Sequence, residues 1–279
     1  MREEDSAVIR PTRGRNEPRI DADALMVMGP ETLRLIVRKT GAREAPGSRE
    51  HAFHRLYVWS PAAGRAIALA GPYLGAPHAV LGLEKLIALG AEKIWVLGTC
   101  GSLSPAVRIG DAVIPTHALS EEGTSRHYPG GGSPPRSDPL MTQRLREALL
   151  DAGVPYHEGE VWTTDAPFRE TRSKVAAYGS RGILAVEMEW SALIAVASYR
   201  GAALAGLLVV SDELFELKWK PGFRDPSLTR GLETAGEILL RLAAGGEGCE
   251  EPSVSSRPCD APGSETPDRA RAAVSKEPT

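Results

Sequence analysis

Short apolar runs recur along the chain at intervals that leave room for a helix between most of them. They are ALMVMG (24–29), LYVWS (56–60), AIALAG (66–71), KIWVLG (93–98), DAVIP (111–115), GEVWTT (159–164), ILAVEME (183–189) and AGLLVVSD (205–212). Runs this short, rich in Val, Ile and Leu and ended by Gly, Pro or Asp, suit strands buried on both faces of a sheet. Helical spacing of apolar residues appears in 77–89, 139–151, 189–200 and 228–243, each with Pro near its start or Gly near its end. Helices placed between strands imply crossover connections and a layer on each side of the sheet. The pattern predicts an α/β protein, a three-layer αβα fold with a mixed, largely parallel central sheet.

Two segments stand outside this pattern. Residues 1–20 are charged and proline-bearing with no apolar period, and read as an arm that is disordered alone or ordered by a neighbour. From 245 to 279 the chain is Gly, Pro, Ser and charge, a composition that cannot bury enough apolar surface to offset the entropy of ordering it. The expected organisation is an amino-terminal arm (1–20), one catalytic domain (21–244) and a disordered tail (245–279). With 279 residues and 42% hydrophobic content, a single large core is within reach.

Charge and cysteines narrow the class of partner. A net charge of −3 gives no general attraction to nucleic acid or to an anionic membrane. No apolar run approaches the roughly 20 residues that a bilayer requires, and no charged-then-apolar leader precedes them. A cytoplasmic protein acting on small molecules is therefore expected. Cys100, Cys249 and Cys259 lack metal-ligand spacing, so no zinc site or structural disulfide is expected.

In open α/β sheets ligands bind at the carboxyl ends of strands, and here those positions are polar and glycine-rich. Gly98-Thr99-Cys100-Gly101-Ser102 reads as a turn whose glycines let backbone N–H groups approach an anion, or as an ordinary tight βα turn. Ser120 to Pro129 mixes Arg126, His127 and Tyr128 with hydroxyls, and suits either a ligand-touching loop or a solvated one. Glu187 and Glu189 flank Met188 where a strand passes into a helix. There they can accept hydrogen bonds from vicinal hydroxyls or simply start the helix. Ser211-Asp212 closes the most apolar strand, and Asp212 is placed either to deliver a proton at neutral pH or to act as an N-cap for the segment after it. KWKPGF (218–223) reads as a lid carrying Trp219 and Phe223 or as a packed surface loop.

In this order and spacing, Gly29, GPYLGAP (71–77), GTCGSL (98–103), EGTSRHY (122–128), VEMEWSAL (186–193) and VVSDEL (209–214) resemble the nucleoside phosphorylase family. That family includes purine nucleoside phosphorylase, uridine phosphorylase and methylthioadenosine nucleosidase, and the similarity runs from about Ala24 to Leu242. The resemblance implies a phosphorylase-like fold and a pentosyltransferase that releases a free base and ribose 1-phosphate, with purine nucleosides favoured. It implies a phosphate subsite at Gly29, Gly98, Thr99 and Arg49, the arginine lent across a subunit interface. The nucleoside subsite falls on Cys100, Gly101, Phe168, Glu187, Met188, Glu189 and Ser211. By the same resemblance Asp212 protonates the purine at N7, Glu189 holds the ribose hydroxyls and Phe168 packs on the base. Inorganic phosphate is then a co-substrate, no metal or organic cofactor is needed, and the assembly is a homo-oligomer, a trimer of dimers.

Two positions depart from the family pattern. Val96 stands where an arginine precedes the GT pair, and the first turn is GPETLR, with Arg34 one residue further on than expected. These departures keep a nucleosidase in play, as the pattern also keeps uridine phosphorylase activity and a non-catalytic nucleoside-binding protein. A dinucleotide-binding dehydrogenase is set aside, because no GxGxxG opens a βαβ unit.

Overall fold

All eight apolar runs form strands, and all four periodic segments form helices. The computed structural model describes residues 7–20, 23–46, 55–130 and 134–245. Arg49 and residues 246–279 of the expected tail lie outside the described residues. Along the chain come β1 (Ala24–Val27), α1 (Pro30–Thr40), β2 (Arg43–Glu44), β3 (Arg55–Trp59), β4 (Ile67–Gly71), α2 (Ala76–Leu89), β5 (Lys93–Ser102) and β6 (Ala112–Glu121). Then come α3 (Pro139–Asp151), β7 (Tyr156–Thr164), α4 (Arg172–Ser180), β8 (Ala185–Glu187), α5 (Trp190–Arg200), β9 (Ala203–Glu213), β10 (Lys220–Pro221) and α6 (Pro226–Ala243).

Alternation along the strands builds the three layers. Met26, Ala68, Ala70, Ile94 and Val96 face a core shared with Val80, Leu83 and Leu86 of α2 and Trp190, Leu193 and Val196 of α5. Leu25, Val27, Leu69, Trp95 and Leu97 face the other way, onto Leu33 and Ile36 of α1, Leu145 and Leu149 of α3, and Ile238 and Leu239 of α6. Neighbouring strand residues point to opposite faces, so one apolar run serves both cores. A bidentate pair from Arg200 to Glu84, at 2.7 and 2.9 Å, ties α5 to α2 on the first face. Part of the amino-terminal arm also packs on α2. Lys85 Nζ meets Glu17 Oε2 at 2.6 Å, and Ile20 N donates to Leu89 O at 2.7 Å.

The sheet is mixed, and its two longest pairings, β5 with β9 and β6 with β7, are parallel. The strand order is β10-β9-β6-β7-β8-β5-β1-β4-β3-β2, and an additional β5–β9 pairing closes β5, β9, β6, β7 and β8 into a ring. Register shifts between Cys100 and Gly101 and between Pro115 and His117 supply the bends that closure needs. Proline has no N–H for the ladder, which accounts for the second shift.

Two helices were not expected. In α1 the buried residues Thr32, Leu33 and Ile36 have helical spacing, and the helix has Pro at its start and Gly41 in a left-handed conformation at its end. The α4 helix buries only Val175, so little periodicity betrays it. Its start is set by Thr171, whose hydroxyl accepts from Lys174 N. Among the described residues no helix is long and apolar enough to cross a membrane.

Gly206 sits in the centre of the β5–β9 pair, and a Cβ there would lie 2.3 Å from Val96 O and 2.8 Å from Val96 Cβ. Gly206→Ala is expected to push these strands apart and cost about 2–3 kcal/mol of stability. Urea unfolding at neutral pH checks this; a midpoint equal to wild type would mean that the pair accommodates the methyl.

Candidate active site

Near the carboxyl end of β5 both β8 and β9 pair with it at Gly101, which lies opposite Val186 on one side and Asp212 on the other. A Cβ on Gly101 would lie 2.6 Å from Leu214 Cδ1, 3.0 Å from Asp212 Oδ2 and 3.3 Å from Val186 Cγ1. Glycine is what lets the Asp212 carboxylate lean over the strand end. The preceding Cys100 is buried; burial pushes its thiol well up, and the charges of Asp212 and Glu187 add to the effect. Such a thiol stays protonated, which excludes it as a nucleophile. It also places the acids of β8 and β9 around one point.

Glu187 and Glu189, two residues apart, do different work. One oxygen of Glu187 accepts from the amides of Glu189 (2.7 Å) and Trp190 (2.6 Å), which satisfies the start of α5. Its other oxygen accepts from the Thr163 hydroxyl, which in turn accepts from Ser191 N at 3.0 Å. Every oxygen of Glu187 is thus spent on the helix start, and this carboxylate acts as a cap. Glu189 receives Gly75 N at 2.5 Å and lies with half-buried Met188 at the strand-to-helix passage. Burial pushes both carboxyls up, and the neighbouring Glu189 charge adds to the effect on Glu187. Burial thus favours the neutral form at both positions, and the donors around Glu187 and the Gly75 amide at Glu189 oppose it.

Asp212 and Glu213 divide in the same way. Glu213 is buried and fully matched, accepting from Arg108 (2.9 and 3.2 Å), Lys220 (3.0 Å) and Ile109 N (3.3 Å). Asp212 faces Gly101. Its Oδ1 accepts from the Ser211 hydroxyl at 2.7 Å and its Oδ2 from Trp219 Nε1 at 2.9 Å. Near it stands Glu170, half-buried, which no sequence pattern singled out. Burial and the Asp212 charge push its carboxyl up to about 7.

The expected anion subsite is rearranged. Gly98 to Ser102 form no turn; β5 continues through them, with a bulge after Cys100, because pairing with β9 and β8 continues beyond the apolar run. Gly98 is buried, and a Cβ there would lie 3.0 Å from Leu208 Cδ2 and 3.3 Å from Met28 Cγ. Thr99 is exposed. The register that sets Val27 opposite Leu97 carries Gly29, which precedes α1, towards Thr99. Val96 is buried in the core, and Arg34 is exposed and paired with Glu31.

The remaining expectations fall unevenly. Ser120 and Glu121 belong to β6, and the adjoining loop folds around Glu122, which accepts from the hydroxyls of Ser120 (2.9 Å) and Ser191 (3.0 Å) and from the amides of Thr124 and Ser125. Arg126 and His127 remain exposed on a 3-10 turn. Phe168 is not buried under a loop: it sits on a second such turn, Pro167–Arg169, and is fully exposed. A groove of about 910 Å³ lined by Lys39, Trp59, Leu240 and Arg241 contains none of these residues.

Comparison with known proteins bears on this geometry. The family model of the phosphorylase superfamily matches residues 24–244. A guanosine phosphorylase of Halorubrum lacusprofundi is 28% identical over 179 residues, 64% of this chain and 74% of that protein. A DeoD-type purine nucleoside phosphorylase of Bacillus thuringiensis is 29% identical over 154 residues, 54% of this chain and 66% of that protein. Among solved structures, purine nucleoside phosphorylase from Toxoplasma gondii in complex with immucillin-H superposes with a TM-score of 0.72 at 23% identity, covering 81% of this chain and 92% of that one. Uridine phosphorylase from Vibrio fischeri gives 0.68 at 22% identity, covering 78% and 92%. These two likenesses bear out the fold.

Glu170 generates a pH prediction. Its carboxyl is raised to about 7 from an ordinary 4.5, so it favours the folded state fully below pH 4.5, and that contribution is lost as pH rises through 7. Glu170→Gln cannot ionise and is expected to gain on wild type by about 1 kcal/mol between pH 5 and pH 8, a figure discounted for solvent screening. Denaturant melts at both pH values read the difference; parallel pH dependences would contradict the raised carboxyl.

Proposed function

The chain belongs to the phosphorylase superfamily, and from that premise we propose that it cleaves the N-glycosidic bond of a purine nucleoside with inorganic phosphate, yielding free base and ribose 1-phosphate. The observation that carries this reading is that β8, which passes into α5 through Met188 and Glu189, and β9, which carries Asp212 near its end, both pair with β5 at the bare backbone of Gly101. One acid faces a helix start that can receive a sugar, and the other, with no ion pair among the described residues, stands beside the open ring of Trp219. The names of the guanosine and purine nucleoside phosphorylases among the relatives support the purine.

The breaking bond leaves an oxocarbenium-like sugar and an electron-rich base. Asp212 delivers a proton to the base at N7, Glu189 accepts from the ribose hydroxyls, and Met188 packs against the ring. Phosphate, held near Gly29 and Thr99 with Arg49 from a neighbouring subunit, steadies the cation and then attacks C1′. Proton delivery of this kind contributes roughly 10²- to 10⁴-fold, and the anion's electrostatic contribution is of similar order. No metal or organic cofactor enters the reaction. A homo-oligomer, a trimer of dimers, goes with the borrowed arginine, and cytoplasmic nucleoside salvage goes with the substrates.

A nucleosidase is the second reading, favoured by Val96 buried in the core and by Arg34 engaged with Glu31 at the surface. The two are separated by incubating inosine, guanosine, adenosine, methylthioadenosine and uridine with and without phosphate and chromatographing the products. Phosphate-dependent purine release with ribose 1-phosphate is expected; equal release without phosphate would make the enzyme a hydrolase, and release from uridine alone would remove Asp212 from the mechanism. Asp212→Asn is expected to lower kcat on the favoured purine nucleoside by roughly 10²-fold or more. Glu189→Gln is expected to lower kcat/KM by about 10- to 100-fold, the weight of a hydrogen bond to a charged group.

A further inference from the structure

Asp212 is oriented by a part of the chain that lies beyond its own strand. The hairpin of β9 and β10 sets Lys220 opposite Glu213 and Pro221 opposite Asp212, and Gly222 N donates to Ser211 O at 2.8 Å. Its loop turns at Leu217, the one non-glycine among the described residues with a left-handed φ, 58°. That conformation is unfavourable for leucine, and it is held by the Leu217 amide on Leu214 O at 2.7 Å and by packing on the cluster of Leu103, Trp162 and Val186. The turn brings Trp219 back over Asp212, where the indole N–H meets Oδ2 at 2.9 Å.

The ring that delivers this N–H is not itself covered. Trp219 is 64% exposed and Phe223, 6.2 Å away and tilted by 58°, is 61% exposed. Two large aromatic faces thus stand open beside an acid whose outer oxygen is already directed. Indole combines an apolar face with a single polar edge, so one side chain can serve both a flat ring and a carboxylate.

We propose that Trp219 is the positioning residue for Asp212: its N–H aims the carboxylate, and its open face is the surface on which the purine lies. This rests on the purine-cleaving reading above. The two roles come apart by substitution. Trp219→Phe keeps an aromatic face and loses the N–H, so kcat on the favoured purine nucleoside falls about tenfold while KM stays within about threefold. Trp219→Ala loses both and raises KM about tenfold as well.

Coupling to the acid distinguishes aim from a general structural effect. In an Asp212→Asn background, Trp219→Phe changes kcat by less than about twofold, because the group it aims is gone. A spectroscopic readout is independent of turnover: Trp95, Trp162 and Trp190 are fully buried and Trp59 lines the separate groove, so hypoxanthine quenches the fluorescence of the wild type but not of Trp219→Phe. A wild type that releases no purine overturns the functional reading and this role with it. A wild type that releases purine overturns this role alone if Trp219→Phe keeps kcat within twofold, if its loss adds in full to that of Asp212→Asn, or if hypoxanthine quenches both proteins equally.

Discussion

The structure depends on how closely β5 can lie against β9. The two strands pair in parallel from Lys93 opposite Ala203 to Ser102 opposite Glu213, and two glycines without side chains make that approach possible. Gly206 admits the backbone of Val96 in the middle of the pair, and Gly101 admits the Asp212 carboxylate at its end. The first contact seats the central strands, and the second brings an acid to the place where β8 also arrives. Fold and site are therefore set by one strand pair, and the bulge after Cys100 bends the sheet into its ring at the point where chemistry is proposed.

Acidic residues come in close doublets on both strands that reach this point, and in each doublet one member is consumed by structure. Glu187 spends its oxygens on the α5 amides and Thr163, while Glu189 accepts from Gly75 N at the start of α2. Glu213 is neutralised by Arg108 and Lys220, while Asp212 accepts from the neutral donors of Ser211 and Trp219. Alternation along the strand explains the second division and the helix start explains the first. A carboxylate already matched by cations or amides has little left for a ligand.

Strand and helix positions were legible because burial on two faces leaves dense apolar runs, and the polar ends of those runs were legible as a site. Closure of the ring was not, since Cys100-Gly101 reads alike in a turn and in a bulged strand. The α4 helix was hidden by having a single buried residue. Glu170 carries no local signal; only the fold brings it to Asp212. Trp219 was visible as part of a lid or a packed loop, but its contact with Asp212 depends on a hairpin turn through a left-handed leucine that no turn residue announces. Phe168 shows the converse, an aromatic that could equally have been core and is instead fully exposed.

The hydrogen bond from Gly75 to Glu189 has a mechanical side. Gly75 is the residue from which α2 departs, and the helix runs for 14 residues, about 21 Å, before Leu89 receives the amide of Ile20. The acid assigned to the sugar and the segment at residues 13–20 thus grip opposite ends of one rigid rod.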